Sequence, residues 1–297
     1  MKKIFVTMMV FTLSVYCFSA PTTWSQIEKL FQKKGATQGD MFKITFPRTD
    51  LDVTMESIKI SPDLALTTWL VFKPAGKSAV MMGDLVILDS EVPRVELMLD
   101  SAGIAVTGMH NHIIGESPEI IYMHIMATGD AVKLAGTMKN IFAATGTPIG
   151  ETATRTSKYF DWSPVDSIMG TKGTVKGDVV QYGIPLKEKV MDNGMEITPY
   201  MGLTTSVNFQ IDGSNAAVTG DFVLLSRDVQ AVMHTLLSYD IPVTAIHNHL
   251  MNESPKIYFL HFWGYDEPVH LANGIHAALD AIGKGTKKGT AEFNLKQ

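Results

Sequence analysis

The stretch VTGMHNHIIGESPEIIYMH, residues 106–124, returns with substitutions as VTAIHNHLMNESPKIYFLH at residues 243–261. Both copies contain His-Asn-His, then Glu-Ser-Pro, then a last His, and the second copy lies 137 positions after the first. Eight of the fifteen residues from 110 to 124 are identical to their counterparts from 247 to 261. Because self-similarity at one long offset is typical of a duplicated domain, the sequence predicts two homologous units.

The repeat extends well beyond this stretch. Residues 83–86 (GDLV) match residues 220–223 (GDFV) at the same offset, and Trp24 matches Trp162 at an offset of 138. The resulting division predicts a signal peptide at 1–19, repeat unit 1 at 20–146, a linker at 147–160, repeat unit 2 at 161–283 and a flexible tail at 284–297.

The hydrophobic pattern of each unit predicts a mixture of helices and strands. In unit 1 it predicts a helix from Ser25 that ends before Gly35, strands near 40–47, 66–73 and 79–88, and helices at about 90–102 and 130–144. Two further strands, 104–113 and 120–127, are joined by a short connection, which requires an antiparallel hairpin. We therefore expect an α+β fold of two tandem units, each with a β-α-β-β-α second half, around antiparallel sheets and packed as a pseudo-dimer.

The start of the chain has the pattern of a secretory signal peptide. Lys2 and Lys3 precede an uncharged run, 4–18, which is shorter than the roughly 20 residues of a membrane span. Cleavage after Ser19 would give an exported protein, periplasmic or secreted, with no transmembrane segment in the mature chain. A lipid anchor at Cys17 is not expected, because Tyr16 is too large for a lipoprotein cleavage site.

Composition excludes several classes of function. With 45% hydrophobic and 19% charged residues, the chain of 297 residues is typical of a globular protein. Its net charge of −5 argues against a nucleic-acid partner, which a basic face would recognise. The only cysteine, Cys17, leaves with the signal peptide. The mature protein therefore has no thiol nucleophile, no cysteine-bound zinc and no iron–sulfur cluster.

Histidines dominate the chemistry of the repeat. His110 and His112 point to the same face of one strand, because side chains alternate along a strand. If the hairpin pairs even positions with even positions, His124 joins them, and Glu116 in the turn could complete the set. Three imidazoles and a carboxylate suit Zn²⁺ or Cu²⁺, which would be the cofactor. The candidate metal ligands are His110, His112, Glu116 and His124, with His247, His249, Glu253 and His261 as their copies.

Three functions fit these residues. The first is an exported protein with two duplicated metal sites that acts in metal sequestration, sensing or delivery. The second is a metal-free envelope binding or scaffold protein, in which the histidines form a polar layer at the pseudo-twofold interface. The third is a metal-dependent hydrolase in which Glu116 or Glu253 is the general base. The partner would be a small ligand or an envelope component that the sequence does not identify.

Two other features are less informative. Asp84 and Asp221 each follow a glycine inside a strand, a pattern that indicates a bulge or a close backbone approach. Arg48 has no counterpart in unit 2, where the aligned segment reads IPLKE at residues 184–188. It is either an anion-binding residue present in one copy only or a solvated loop charge.

Several blocks resemble the LppY/LpqO family of exported bacterial proteins and lipoproteins. The matching blocks are residues 46–50 (FPRTD), 83–86 and 106–124 in unit 1, and residues 220–223 and 243–263 in unit 2. The resemblance covers essentially the whole mature chain. It implies export and a duplicated architecture, but the family has no assigned reaction and supplies no ligand residues. The chain departs from the lipoprotein members at Cys17.

Overall fold

The protein is described by a computed structural model that covers residues 20–152 and 160–284. The predicted signal peptide, residues 153–159 of the predicted linker and residues 285–297 of the predicted tail lie outside the described residues. The domain boundaries themselves therefore stay predictions.

Unit 1 alternates strands and helices. In chain order it contains α1 (Ala20–Phe31), β1 (Ala36–Gln38), β2 (Met41–Pro47), β3 (Thr54–Met55), β4 (Ile58–Lys59), β5 (Thr67–Ala75), β6 (Ser78–Leu88), α2 (Val92–Ser101), β7 (Ala105–His110), β8 (Glu116–Ser117), β9 (Ile120–Gly129) and α3 (Ala131–Thr145). A short 3₁₀ turn, Asp89–Glu91, precedes α2.

Unit 2 repeats this order. It contains α4 (Ser163–Met169), β10 (Thr174–Lys176), β11 (Val179–Pro185), β12 (Val190–Asp192), β13 (Met195–Ile197), β14 (Thr204–Asp212), β15 (Asn215–Leu225), α5 (Val229–Leu237), β16 (Val243–His247), β17 (Glu253–Ser254), β18 (Ile257–Asp266) and α6 (Pro268–Ala281). A 3₁₀ turn, Pro199–Met201, precedes β14.

Each unit is built on a six-stranded antiparallel sheet. The strand order is β1-β2-β5-β6-β9-β7 in unit 1 and β10-β11-β14-β15-β18-β16 in unit 2, and two three-stranded ribbons complete the fold. The identical orders confirm the predicted α+β fold of two tandem units. The predicted hairpin is also confirmed, since β7 pairs with β9 in the antiparallel sense.

Three predicted element ends were wrong. Helix α1 begins at Ala20 and ends at Phe31, so Ser25 is not its cap. Helix α2 begins at Val92, because the 3₁₀ turn occupies the residues before it. Strand β7 ends at His110 instead of Ile113, so that His112 lies in the loop that follows the strand.

Helices cover the outer face of each sheet. In unit 1, Trp24 of α1 stacks on Phe42 of β2 with ring centroids 5.4 Å apart, and Phe31 packs against Phe142 of α3. In unit 2, Trp162 packs against Phe209 in the corresponding layer. Each buried side chain of this size contributes about 1.5–3 kcal/mol of hydrophobic stabilisation.

The inner faces of the two sheets pack against each other. Two hydrophobic clusters lie there, and each takes residues from both units. The first contains Met82 and Phe259, and the second contains Tyr122 and Trp263. Because neither inner face is covered by its own helices, burial of apolar surface between the sheets joins the units into a pseudo-dimer.

Arg48 is neither a solvated loop charge nor an anion site, so both interpretations of it were wrong. Its side chain is fully buried. The guanidinium donates to the Asp50 carboxylate and to the carbonyl oxygens of Val86 and Thr145, and lies 3.5 Å from Glu91. A buried guanidinium needs such partners, and here they tie the end of β2 to β6 and α3.

Close packing at Gly108 yields a test of the contact between the units. A Cβ atom at Gly108 would lie 2.5 Å from the carbonyl oxygen of Asn248, which belongs to unit 2. We expect Gly108→Ala to lower the free energy of unfolding by about 1–3 kcal/mol, because the backbones must separate. Urea denaturation measures this change.

Gly136→Ala in α3 is the matched control, since a Cβ atom added at Gly136 would meet no described atom within 4 Å. It should raise the free energy of unfolding by up to about 1 kcal/mol, the helix propensity of alanine over glycine. Equal stability of the two variants would contradict close contact between the units at Gly108.

Candidate metal centre

A register shift in the hairpin decides which way the histidines point. At the start of β7, Ala105 lies opposite Met126, but after the irregularity between Val106 and Gly108, Gly108 lies opposite His124. One extra residue in a strand moves all later side chains to the other face. The shift gives the even-with-even pairing that the sequence analysis required, and β16 carries the same irregularity.

The six paired histidines meet in one cluster at the pseudo-twofold axis, which we call the histidine cluster. The rings of His110 and His247 face each other across the axis at 3.4 Å. The contact between His112 and His261, at 3.8 Å, has its counterpart in the contact of His249 with His124, at 3.6 Å. The two predicted sets of histidines, one from each unit, therefore lie side by side in one cluster.

Aromatic rings enclose the histidine cluster on both sides. His112 stacks on Tyr122 at 3.3 Å, and its copy His249 stacks on Phe259 at the same distance. The Thr244 hydroxyl donates to the carbonyl oxygen of His112 at 2.6 Å and so links the two units beside the cluster. These contacts fix the positions of rings that lie beyond the ends of their strands.

Backbone carbonyls orient two of the rings. His261 Nδ1 donates to the carbonyl oxygen of Gly220 at 2.7 Å, and His110 Nδ1 donates to that of Asn111 at 3.2 Å. Each ring therefore carries its proton on Nδ1. The lone pair of His261 Nε2 faces the cluster, whereas that of His110 Nε2 accepts a hydrogen bond from His124 Nε2 at 2.8 Å. A carbonyl that fixes the tautomer in this way is the usual outer partner of a metal-binding histidine.

Polar atoms in the cluster lack partners. Among the described residues, the buried side-chain atoms without a hydrogen bond are Asp84 Oδ1, His112 Nε2, Asp221 Oδ1, both ring nitrogens of His247, His249 Nε2, Glu253 Oε1 and His261 Nε2. Most of them belong to the histidine cluster or to the two aspartates beside it. Buried polar groups are nearly always satisfied, so these are the atoms to which a bound ion or ordered water would be expected to bind.

Burial also sets the charge of the rings. Desolvation lowers the pKa of all six clustered histidines, and it lowers the pKa of His110 to about 4. The imidazoles are therefore neutral at neutral pH, and a neutral imidazole is the form that binds a metal.

Four of the rings are close enough to share one ion. The ligand atoms of His110, His247, His249 and His261 all lie within 4.8 Å of one another. A tetrahedral ion with bonds of about 2.0–2.1 Å separates its ligand atoms by about 3.4 Å. The observed separations of up to 4.8 Å exceed this distance, so coordination of one ion requires the rings to move closer together. His112 and His124 lie beside this group, and His124 Nε2 is 2.8 Å from His110 Nε2.

The two predicted glutamates lie in the turns. Glu116 Oε1 accepts a hydrogen bond from the backbone N–H of Ile120 at 3.3 Å. Glu253 Oε2 lies 3.3 Å from the Lys256 ammonium. Neither belongs to the four-residue group within the described residues, so their role as ligands stays a prediction.

Two aspartates that were not among the predicted site residues lie near the histidine cluster. Asp84 lies opposite His124 in the sheet, and Asp221 lies opposite His261. Asp84 Oδ1 is 3.8 Å from His124 Nδ1. No bulge occurs at these positions, but the close backbone approach is confirmed: a Cβ atom added at Gly83 would lie 2.9 Å from the carbonyl oxygen of Trp69, and one added at Gly220 would collide with that of Ser206. The usable signal was the matched Gly-Asp pair in a strand that the fold places beside the histidine strand.

Desolvation raises the pKa of both aspartates. It raises the pKa of Asp84 to about 7, although the charge of Lys43 acts in the opposite direction. It raises the pKa of Asp221 well above its usual range, with a smaller contribution from the charge of Asp84. Each carboxyl group is therefore poised to lose its proton when a cation lies near it.

The duplicated sequence matches one family twice. Residues 25–144 and residues 163–281 each match the family described as Domain of Unknown Function (DUF1259). The chain belongs to this family. The two matches correspond to the two six-stranded sheets, in agreement with the tandem repeat.

Comparison with other proteins adds little about the site. The trimeric bacterial microcompartment shell protein PduB is similar over 84% of this chain and 90% of its own, at 11% identity and a TM-score of 0.22. EtuB from Clostridium kluyveri is similar over the same shares at 9% identity and a TM-score of 0.20. At these TM-scores neither likeness supports a conclusion. No curated protein matches the chain.

Within residues 20–152 and 160–284, no helix combines the length and the apolar character that crossing a bilayer requires.

The stacking of His112 on Tyr122 can be tested with a substitution that unit 2 already contains. Tyr122→Phe copies Phe259, keeps the stacked ring and removes only the hydrogen bond to the Ala65 carbonyl, so we expect a loss of about 1 kcal/mol. Tyr122→Ala also removes the ring and should lower the free energy of unfolding by about 3–5 kcal/mol. Denaturant unfolding of the metal-free protein gives both values, and equal losses would contradict the packing role of the ring.

Proposed function

We propose that this protein binds one divalent transition-metal ion, Zn²⁺ or Cu²⁺, between its two units. The observation that carries the proposal is the group of four imidazoles whose ligand atoms lie within 4.8 Å of one another. His110 comes from unit 1, and the other three come from unit 2. An ion bound there would link the two units, and neither unit alone supplies the group.

The ligand set favours metal binding over catalysis. Four nitrogens fill a tetrahedral coordination sphere, and closed sites of this kind are structural or storage sites, whereas catalytic zinc keeps a position open for water. Imidazole ligands suit zinc and copper alike, and the geometry adopted by the ion distinguishes them. His112 and His124 are proposed to support the same site.

The metal-free scaffold is disfavoured by the unpartnered nitrogens. Both nitrogens of His247 and the Nε2 atoms of His249 and His261 are buried without a hydrogen bond among the described residues. Each buried, unsatisfied polar group costs about 1–3 kcal/mol. A bound ion would offset this penalty, whereas a purely structural polar layer would be expected to pair its own donors and acceptors.

A metal-dependent hydrolase is the second candidate, and one observation favours it. Asp84, with its pKa raised to about 7, lines a cavity that also reaches His249. It is a better-placed general base than Glu116.

If the protein hydrolyses p-nitrophenyl acetate or bis(p-nitrophenyl) phosphate, Asp84→Asn should abolish turnover while the metal content stays unchanged. Equal turnover in both proteins would remove Asp84 from that role.

We also infer that the protein is exported. The pattern of residues 1–19 supports removal of a signal peptide, and the LppY/LpqO resemblance agrees with it. Outside the cytoplasm the protein would act in metal sequestration, sensing or delivery, with an envelope component as the partner that receives or supplies the ion.

N-terminal sequencing of the mature chain from a cell envelope fraction tests the removal of the signal peptide, and a chain that begins at Met1 would contradict it.

Elemental analysis tests the metal site. The native protein, purified without chelator or a His tag and dialysed against Zn²⁺ or Cu²⁺, should retain about one equivalent of metal per chain. His249→Ala should lose most of it, because one of four ligands is removed. His276→Ala in α6 is the matched control, since this exposed histidine lies outside the group and its removal should leave the metal content unchanged.

Two equivalents per chain would contradict the shared site, because they would require each unit to bind its own ion. No retained metal, with intact folding of the native protein, would exclude both metal-dependent functions and leave the structural interpretation of the histidine cluster.

A further inference from the structure

A cavity of about 700 Å³ lies beside the histidine cluster, between the inner faces of the two sheets. We call it the side cavity. Its lining includes Lys43 and Trp69 of unit 1, Lys176 and Tyr200 of unit 2, and, next to the cluster, Asp84 and His249. It therefore combines positive charge, aromatic surface and a carboxyl group within one space of ligand size.

Neither lysine of the side cavity is paired directly with an anionic group of the described residues. Within residues 20–152 and 160–284, neither Lys43 nor Lys176 makes a side-chain hydrogen bond or an ion pair. The Lys43 ammonium instead lies 4.2 Å from the ring centre of Trp69 and 5.8 Å from that of Tyr200. Aromatic faces hold the ammonium in place without neutralising it.

Lys43 and Lys176 also repel each other electrostatically. Burial lowers the pKa of Lys43 to about 8; the Asp84 carboxylate opposes this shift, and the positive charge of Lys176 adds to it. Two like charges that face one space repel each other, and an anion bound between them relieves this repulsion.

The two units differ in the residues that line the side cavity. The position of Lys43 is taken by Gln181 in unit 2, and that of Trp69 by Ser206. The strand pairing confirms the first equivalence, because Lys43 lies opposite Val71 and Gln181 lies opposite Asn208, which follows Val71 by the repeat offset of 137. The cation and the aromatic ring therefore belong to one copy only, whereas the histidines are present in both. This is the pattern of a ligand site added to a symmetric scaffold.

We propose that the side cavity binds a small hydroxycarboxylate. Its carboxylate would lie between Lys43 and Lys176, its carbon skeleton would contact Trp69 and Tyr200, and its hydroxyl would donate to Asp84. A phosphate dianion fits less well, because the described lining contains no arginine to bind it with two parallel hydrogen bonds. The anion site does not require the metal ion.

Calorimetric titration tests the proposal with named probes: lactate, 3-hydroxybutyrate and 4-hydroxybenzoate. At least one should bind the native protein with a Kd below about 1 mM. Removal of either functional group should weaken binding, so benzoate and 4-hydroxybenzyl alcohol should bind less tightly than 4-hydroxybenzoate. The absence of binding by all three hydroxycarboxylates would overturn the proposal, and so would tighter binding of inorganic phosphate.

Variants that copy the other unit assign the binding to the lysines. Lys43→Gln installs the residue of unit 2, and Lys176→Gln installs the counterpart, Gln38. Each should weaken binding about tenfold or more, because a charge partner of the carboxylate is lost. Lys133→Gln, at an exposed position on α3, makes the same change in net charge away from the cavity and should bind like the native protein. Circular dichroism confirms that each variant is folded.

The titration is performed on chelator-treated and on metal-loaded protein. Lysine-dependent binding in both forms supports the side cavity, whatever the outcome of elemental analysis. Binding only to the metal-loaded form, with no effect of Lys43→Gln or Lys176→Gln, would mean that the carboxylate coordinates the ion directly, and would overturn the proposal while leaving the metal site intact.

Discussion

The structure depends on one irregular residue step in β7 and on its copy in β16. At these positions the pairing with β9 and β18 shifts by one residue, between Val106 and Gly108 and between Val243 and Ala245. Because side chains alternate along a strand, the shift turns the following histidines from the helix-covered face to the inner face. Without it, His110 and His124 would point to opposite sides of the sheet.

The shift places polar rings where the fold otherwise buries hydrophobic side chains. The histidine cluster lies between two hydrophobic clusters that both units share. In this apolar setting the charged form of an imidazole is disfavoured. Burial of a ring nitrogen without a hydrogen-bond or metal partner also costs free energy, so the histidine cluster is stable only if its lone pairs have a partner. The same contacts that join the units therefore bring the histidines together, and the proposed metal centre would belong to the pseudo-dimer instead of either half.

Much of this arrangement could be predicted from the sequence, because it is local. The repeat and the hairpin follow from the offsets and the short connection, and the shared face of His110 and His112 follows from alternation along a strand. The position of His124 on that face did not follow, because it depends on the register shift in β7. The convergence of both copies did not follow, because the packing of one unit on the other is set by inner faces that a single unit does not define. The burial of Arg48 was not predicted for the same reason, since its hydrogen-bond partners come from elements far along the chain.

The proposed metal site requires nitrogen coordination of one ion by rings from both units. X-ray absorption spectroscopy of the metal-loaded protein, at the edge of the bound metal, measures this most directly. We expect a first shell of about four imidazole nitrogens at about 2.0–2.1 Å, with the outer-shell scattering of histidine rings. A first shell made mainly of carboxylate or water oxygens would contradict this site, because it would place the ion away from the histidine cluster.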